Sequence, residues 1–247
     1  MFLVSVIMPY FKKKKFIENS IKSILNQSYQ NFEIIVIDDE LSFESSEVLK
    51  KISNLDKRIK IIKNKYNLGA GESRNCGIKI ALGEYIAFCD SDDLWKDTKL
   101  EKQMNFMKKV KTDFSFTAYE IIDEDGKIIG SRKAKEILNF NDLIKSCDIG
   151  LSTVIIKKKL LNNEYFKFAK LKTKEDYVLW LKIAQHGKLL SGFNEYLSSW
   201  RKSKYSLSSP IFQKLVDGYK VYRNYFRYNI FKSIFCLFVL SINSVLR

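Results

Sequence analysis

One histidine, two prolines and ten glycines are few for a chain of 247 residues, and each scarcity excludes something. The single histidine, His186, falls at the end of a helical pattern with no dyad partner, and it reads as structural. So few prolines and glycines argue against long disordered linkers. The four cysteines, Cys76, Cys89, Cys147 and Cys236, show no Cys-x-x-Cys spacing, and Cys89 lies in an apolar strand-like run. A disulfide framework or a zinc site is therefore not expected, and reduced thiols in a cytosolic protein fit better. No stretch is both long and apolar enough for a membrane span. Residues 230–246 come closest, but they are short and contain Lys232. Phe2 to Met8 is too short for a signal peptide and runs straight into a strand-like pattern, so none is expected. Internal repeats and low-complexity segments are also missing.

What is present is a large apolar fraction, 46%, and a formal charge of +15. The first suffices for one sizeable core with an appendage. The second points to an anionic partner: nucleic acid, a phospholipid surface or a phosphorylated substrate. Lysine is abundant throughout, so part of that charge is background composition.

One stretch organises the rest: Gly83-Glu84-Tyr85-Ile86-Ala87-Phe88-Cys89-Asp90-Ser91-Asp92-Asp93-Leu94-Trp95. It begins as a buried strand and ends in three carboxylates. Acids at the C-terminal end of a strand point to the crevice where open α/β sheets bind ligands. Carboxylates two apart can grip one hard cation together with phosphate oxygens. The plainer reading is a solvated turn, which Asp and Ser also suit.

The pattern around it decides between these. Leu3 to Met8 is a β-rich run that Pro9 is expected to stop. Ile17, Ile21, Ile24 and Leu25 mark one face of a helix over 14–26. Residues 32–37 form a second strand ending in Asp38-Asp39, 43–54 a helix, and 58–62 a third strand. A turn at 67–71 leads into a helix over 72–82, closed by Gly83, and strand four covers 84–89. Strands alternating with helices at this interval are βαβ units on a parallel sheet. Unbroken apolar strands mean that both faces are covered. The two strand-end acid pairs then lie on the same edge of the sheet.

The second half is less regular. A helix is expected over 97–109, and strand Phe114 to Ile122 turns through Asp123-Glu124-Asp125-Gly126 into 127–130. A short helix follows at 140–146 and a strand at 151–156. A mostly buried helix runs from Thr173-Lys174-Glu175-Asp176 to His186, and 188–199 are extended. This half should wall off the acceptor side of the cleft.

Taken in order, these blocks resemble the family 2 glycosyltransferases, inverting enzymes with a GT-A fold. The resemblance covers about residues 3–205. It rests on Val4 to Tyr10, Asn26 to Asp39, Asn67-Leu68-Gly69 with Ser73 to Gly77, Gly83 to Trp95, Glu175 to Leu181, and Trp200-Arg201 with Ser206. It implies that Pro9, Tyr10 and Phe11 line a nucleoside pocket and that Asp39 holds the base. A carboxylate accepts the imide N–H of uracil, which cytosine lacks, so a UDP-sugar is the expected donor. Arg74 matches an arginine near base and phosphates. Asp90-Ser91-Asp92 matches the DxD motif: Asp90 faces the ribose or metal, and Asp92 ligates the metal. All-oxygen ligands suit Mn2+ or Mg2+. Asp176 matches the catalytic base, with Glu175 as support, Asp93 as a turn or cap, and Trp180 as a wall that keeps the site dry. Inversion by single displacement needs one base and no enzyme nucleophile.

The sequence departs from the family pattern at three places. Phe11-Lys12 replaces the usual Asn after Pro-x-Tyr, Glu40-Leu41-Ser42 replaces Asp-Gly-Ser, and Ser203 replaces a common histidine. Arg201, Lys202 and Lys204 are then the cations left to meet a diphosphate.

The tail is basic and aromatic. Phe212, Leu215, Val216, Tyr219, Tyr222 and Phe226 form one helical stripe, from which Lys214, Asp217, Lys220 and Arg227 fall away. Such a helix suits an anionic membrane surface; packing on its own domain or at a homodimer seam is the alternative. Nucleic acid is not expected, since no binding motif accompanies the charge. The expected organisation is a GT-A domain over 1–208, with a nucleotide-sugar half at 1–95 and an acceptor half at 96–208, and a helical tail at 209–247. The expected function is metal-dependent transfer from a nucleotide-sugar to a glycan or lipid-linked acceptor in cell-surface polysaccharide or lipopolysaccharide synthesis. The expected place is the cytoplasm, at the inner face of the membrane. A catalytically silent nucleotide-binding scaffold docked on membrane is the other reading.

Overall fold

The computed structural model describes residues 1–203 and 211–245. Its strands are β1 Val4–Tyr10, β2 Phe32–Asp38, β3 Ile59–Lys63, β4 Tyr85–Phe88, β5 Leu94–Trp95, β6 Phe114–Ile122, β7 Ile128–Arg132, β8 Ile137–Leu138, β9 Ile155–Lys157 and β10 Leu190–Arg201. Its helices are α1 Lys14–Leu25, α2 Phe43–Ser53, α3 Ala70–Ile80, α4 Lys99–Val110, α5 Phe140–Leu143, α6 Lys158–Leu161, α7 Glu175–Gln185, α8 Ile211–Lys220 and α9 Ile230–Val245.

All ten strands join one sheet in the order β3-β2-β1-β4-β9-β6-β10-β5, with β7 beside β6 and β8 beside β10. β1 to β4 pair in parallel. β9 runs antiparallel to both β4 and β6, and β6 runs parallel to β10. Six strands, β1, β2, β3, β4, β6 and β10, therefore point the same way, and their C-terminal ends share one edge. The chain order reverses between β1 and β4. That is where such sheets open a binding crevice.

Alternate residues of β1 and β2 enter opposite cores, as the two-residue period of a strand requires. Val4, Val6, Met8, Ile34 and Val36 pack with Ile17, Ile21 and Ile24 of α1 and Leu100 and Met104 of α4. Ile7, Ile35 and Ile37 pack on the other face with Val178, Leu179 and Trp180 of α7 and with the tail residues Val221 and Tyr222. Both faces are covered, as the apolar runs require.

Three local expectations change. β1 continues through Pro9 to Tyr10. The Ile7 carbonyl accepts from Cys89 on the β4 side, and Tyr10 accepts from Asp39 on the β2 side. Pro9 therefore turns its missing amide toward β4, which has already ended at Phe88. Gly83 does not close α3, which stops at Ile80. A Cβ at Gly83 would lie 2.7 Å from Leu3 O and Ser5 N, so glycine is there for close backbone approach. The strand expected at 151–156 is split into a 3-10 turn, Leu151–Thr153, and β9. The Thr153 hydroxyl and amide both bond the Gly150 carbonyl, the local side-chain bonding that competes with extension.

The tail is helical but broken. α8 passes through a π-turn, Val221–Tyr225, before α9 begins. Its inward residues are Asp217, Gly218, Val221 and Tyr222, while Phe212 is 79% exposed. Asp217 thus lies on the docked side and not on the solvent side. No helix among the described residues is long and apolar enough to cross a membrane.

Candidate active site

The segments that leave β1, β4 and β10 at the C-terminal edge of the sheet meet at the acid turn. After β1, the Lys13 ammonium lies 2.6 Å from Asp92 Oδ2 and donates to the Ser203 hydroxyl at 3.3 Å. Those three residues follow β1, β4 and β10 respectively. The position where the family often carries histidine is thus at the acid turn, and here it holds a lysine-serine contact. Lys204 and Ser206 lie outside the described residues.

The acid turn is held from behind. Asp93 is buried, accepting from the Ser152 hydroxyl at 2.5 Å and the Arg201 amide at 2.9 Å. Ser152 also accepts from the Asp90 amide, and its carbonyl takes the Trp95 indole N–H. The Arg201 guanidinium, 5% exposed, donates to the carbonyls of Asp92, Asp123 and Glu124 and stacks over Phe16. Burial drives the Asp93 carboxyl well above the ordinary carboxylate range, and the charges of Asp92 and Asp90 add to that. Asp92 shifts upward for the same first reason, burial, against the pull of Lys13.

Arg74 of α3 joins the acid turn after β4 to the start of α7. One guanidinium nitrogen donates to Asp90 Oδ1 at 2.7 Å and the other to Glu175 Oε1 at 2.6 Å. Arg74 is 3% exposed and lies over the Phe168 ring. Burial opposes its charge, but the two carboxylates outweigh burial and raise its pKa further. Burial pushes Glu175 up to about 7, against the pull of Arg74. The close approach of α3 to α7 needs Gly71, where a Cβ would sit 2.7 Å from Ala169 O. Asn75 adds a two-way amide bond to the backbone of Phe168.

Asp176 is next to Glu175 in the first turn of α7. Its Oδ1 accepts from the Tyr177 amide at 2.7 Å, leaving the other oxygen for a ligand. Burial raises its pKa, and Arg74 opposes that rise. Asp176, Glu175, Arg74, Asp90 and Asp93 all line one cavity of about 380 Å³, with Trp200 and Tyr119 among its walls. Trp180 lies beneath the site, fully buried, edge-on to Phe114 and Phe168.

At the C-terminal end of β1, Pro9 and Tyr10 are buried and Phe11 is half-buried. Tyr10 packs into the α1 core, and burial raises its phenol pKa. Asp39 is 2% exposed, and its oxygens accept from Asn64 Nδ2 and the amides of Leu68 and Gly69. Three donors leave about one acceptor direction free of the roughly four on a carboxylate. Asp38 is likewise buried and fixes the start of α2 through Glu40, Leu41 and Ser45. Ser91 is 4% exposed within the acid turn. His186 is remote, its Nδ1 2.9 Å from the Lys182 carbonyl and its ring against Tyr165 and Phe166.

Lys13 and Ser152 carry no signal in the sequence, one lying within the run Lys12 to Lys15 and the other in what looks like a strand. Glu175 is visible only as a neighbour of Asp176.

The family model described as Glycosyl transferase family 2 matches residues 5–168. The chain belongs to glycosyl transferase family 2. It is 40% identical over 217 residues to WfgD of Escherichia coli, a UDP-Glc:alpha-D-GlcNAc-diphosphoundecaprenol beta-1,3-glucosyltransferase; the match covers 87% of this chain and 83% of WfgD. Among solved structures, S. aureus TarS 1-349 in complex with UDP-GlcNAc superposes with a TM-score of 0.73 at 23% identity, over 90% of this chain and 65% of that one. The mannosyltransferase PcManGT of Pyrobaculum calidifontis, in complex with GDP-Man and Mn2+, gives 0.69 at 14% identity, over 92% and 64%. These likenesses establish the GT-A fold for a family 2 chain.

Proposed function

We propose that this family 2 chain is an inverting, metal-dependent glycosyltransferase. It moves a hexosyl or N-acetylhexosaminyl group from a UDP-sugar to a hydroxyl of a lipid-linked saccharide in cell-surface polysaccharide synthesis. The observation that carries this is the Arg74 fork, which ties the acid turn after β4 to the first turn of α7. WfgD supports the donor and acceptor class by its name. In this reading residues 1–95 hold the donor, 96–208 receive the acceptor, and 209–247 form the helical tail.

The residues present fit a divalent ion of the Mn2+ or Mg2+ kind. Asp90 uses Oδ1 for Arg74 and Asp92 uses Oδ2 for Lys13, so each keeps one oxygen. Among the described residues no group of three or more acids, histidines or cysteines converges as a protein-only cage. Magnesium and manganese suit such sites, taking one or two carboxylates and completing their shell with substrate phosphates. When bound, the ion would neutralise charge on the departing diphosphate.

The remaining roles fall to the chain's own groups. The free oxygen of Asp176 takes the proton of the acceptor hydroxyl, whose oxygen attacks the anomeric carbon as the bond to the diphosphate breaks. Its raised pKa makes it a stronger base than an exposed aspartate. Phe11, with Pro9 and Tyr10 behind it, flanks the nucleoside. Asp39 offers its last acceptor direction to the base, Asp90 and Ser91 face the ribose side, and Arg74 orients both walls. Arg201 serves the donor through the turn it holds.

The tail docks on the anionic inner face of the membrane. Phe231, Phe235, Phe238 and Ile242 recur along one exposed side of α9, at 86, 66, 61 and 40% exposure, with Lys232 beside them. Deleting the tail would uncover Val221 and Tyr222, so the better test is Phe231, Phe235 and Phe238→Ser. Loss of partition onto anionic vesicles is expected; unchanged partition with a lost dimer would place the face at a homodimer seam instead. For the reaction, a screen of nucleotide-sugars for Mn2+-dependent hydrolysis is decisive. Turnover with a UDP-sugar supports the assignment, and UDP binding without turnover of any donor leaves a silent scaffold.

A further inference from the structure

The carboxylates line one part of the cavity, and Lys172, Lys174 and Lys214 line another. None of these lysines forms an ion pair among the described residues, whereas Arg74 on the opposite wall is fully engaged by Asp90 and Glu175. Unpaired cations converging on a cleft are an unfavourable arrangement unless an anion joins them. Burial pushes the Lys214 pKa down, and the charges of Lys174 and Lys202 add to that.

Their placement is enforced by structure. Lys174 holds a left-handed backbone, φ 62°, which a side-chain-bearing residue adopts only under constraint from its surroundings. The constraint is visible next to it. Thr173 donates its amide and its hydroxyl to the buried Asp217 of α8 at 3.0 and 3.1 Å. That clamp fixes α8 against the start of α7 and carries Lys214 to the cavity. Ile211, Lys214 and Leu215 stand at i, i+3 and i+4, so they share one helix face. Ile211 and Leu215 are 74 and 41% exposed. A cation at a cavity rim, flanked by bare aliphatic side chains, matches a ligand that is charged at one point and greasy just beyond it.

We infer that Lys172, Lys174 and Lys214 recognise the diphosphate of a lipid-linked sugar acceptor, whose hydrocarbon chain leaves across Ile211 and Leu215. This rests on the glycosyl-transfer reading and names what that site selects. The donor's diphosphate is the other source of the same chemistry. It already has counter-charge at the acid turn, where Lys13 stands beside Asp92, and it has no apolar chain to place. The acceptor's sugar then lies between the lysines and Asp176, with its hydroxyl toward the base.

The test is a calorimetric comparison of two synthetic acceptors in the presence of saturating UDP and Mn2+. One is an undecyl diphosphate carrying N-acetylglucosamine; the other is the undecyl glycoside of the same sugar without phosphates. The wild type should bind the first more tightly by about tenfold or more, the loss expected when charge-assisted contacts are removed. Lys172→Gln with Lys214→Gln should close most of that gap, and Lys214→Arg should keep it. UDP affinity should move by less than about threefold, a fraction of one such contact. Equal binding of both acceptors by the wild type overturns the inference. So does a gap untouched by the double substitution, or a loss of UDP affinity as large as the loss for the acceptor. Binding does not require turnover. An intact gap in a protein that transfers no sugar would sink the enzymatic reading and leave the anion site standing.

Discussion

The two halves of the sheet reach the same edge by different means. From β1 to β3 each strand is followed by a helix, and the strands up to β4 pair in parallel, Val4 with Phe32 on one side and with Tyr85 on the other. From β5 to β10 two long parallel strands, β6 and β10, are flanked by short antiparallel pieces, β5, β7, β8 and β9. Long-range bonds do the holding: Ser152 to Asp93, Arg201 to Asp92 and Asp93, and Asp217 to Thr173. In the proposed reading the β1–β4 part grips the donor nucleotide, and the acceptor is met by residues gathered from distant parts of the chain, Lys172, Lys174 and Lys214 among them. Arg74 bridges the two parts with charge, its guanidinium meeting Asp90 after β4 and Glu175 of α7.

The largest expected effect separates chemistry from binding. Asp176→Asn should lower kcat by about 10²–10⁴, the range for loss of a general base, with donor affinity retained. Asp92→Ala should raise the Mn2+ concentration needed for half-maximal transfer and reduce the rate by about 10². Steady-state kinetics over a metal titration distinguish these, and equal metal profiles for the two variants would mean that the halves do not divide the work.

Next is the pH profile. The base must be deprotonated, and burial raises the Asp176 pKa, so the acid limb of kcat/KM should lie above the ordinary aspartate value. The Arg74 charge opposes that rise. Arg74→Gln should therefore move the limb to still higher pH, and a limb that stays in place would break the link between the halves.

Stability effects come third. Asp217→Ala strips the Thr173 amide of its buried partner and should cost about 1–3 kcal/mol by denaturant titration. It should also raise the KM for a lipid-linked acceptor more than that for the donor. Lys99 sharpens the comparison from within the core. It is fully buried, bonded to Gln103 and lying over Trp95, and burial lowers its pKa to about 7. A lysine with a depressed folded pKa binds fewer protons folded than unfolded between about 7 and 10.5, so stability rises with pH across that window. Lys99→Met should raise Tm, most below pH 7 and progressively less toward pH 10. A Tm gain independent of pH would contradict this, because it would mean that Lys99 has the same pKa folded and unfolded.

Much of the part from β1 to β4 is legible in the sequence because local periodicity and burial agree there. Ile17, Ile21 and Ile24 announce α1, and the runs ending at Asp38 and Asp90 announce strands that stop at one edge. The acid turn after β4 and the acid pair opening α7 stand out for the same reason. What stays hidden is anything set by a partner far away in the chain. Lys13 is one of four consecutive lysines until β10 brings Ser203 to it. Ser152 sits in a β-like run until Thr153 bonds back to the Gly150 carbonyl and tightens the chain. Asp217 lies on what a helical wheel marks as the solvent side, because its partner, Thr173, is 44 residues earlier. Asp39 and Arg201 show the converse. Each stands where a ligand contact is expected, and each has most of its hydrogen-bonding capacity directed at the protein's own backbone.

The most direct test of one shared site is calorimetric titration of UDP into wild type, Asp92→Ala and Asp176→Ala, each with and without Mn2+. Mn2+ should tighten UDP binding in wild type and in Asp176→Ala to within about threefold of each other, and should do so no longer in Asp92→Ala. Persistence of the Mn2+ effect in Asp92→Ala, or its loss in Asp176→Ala alone, would contradict the assignment of the acid turn to the donor and of α7 to the acceptor.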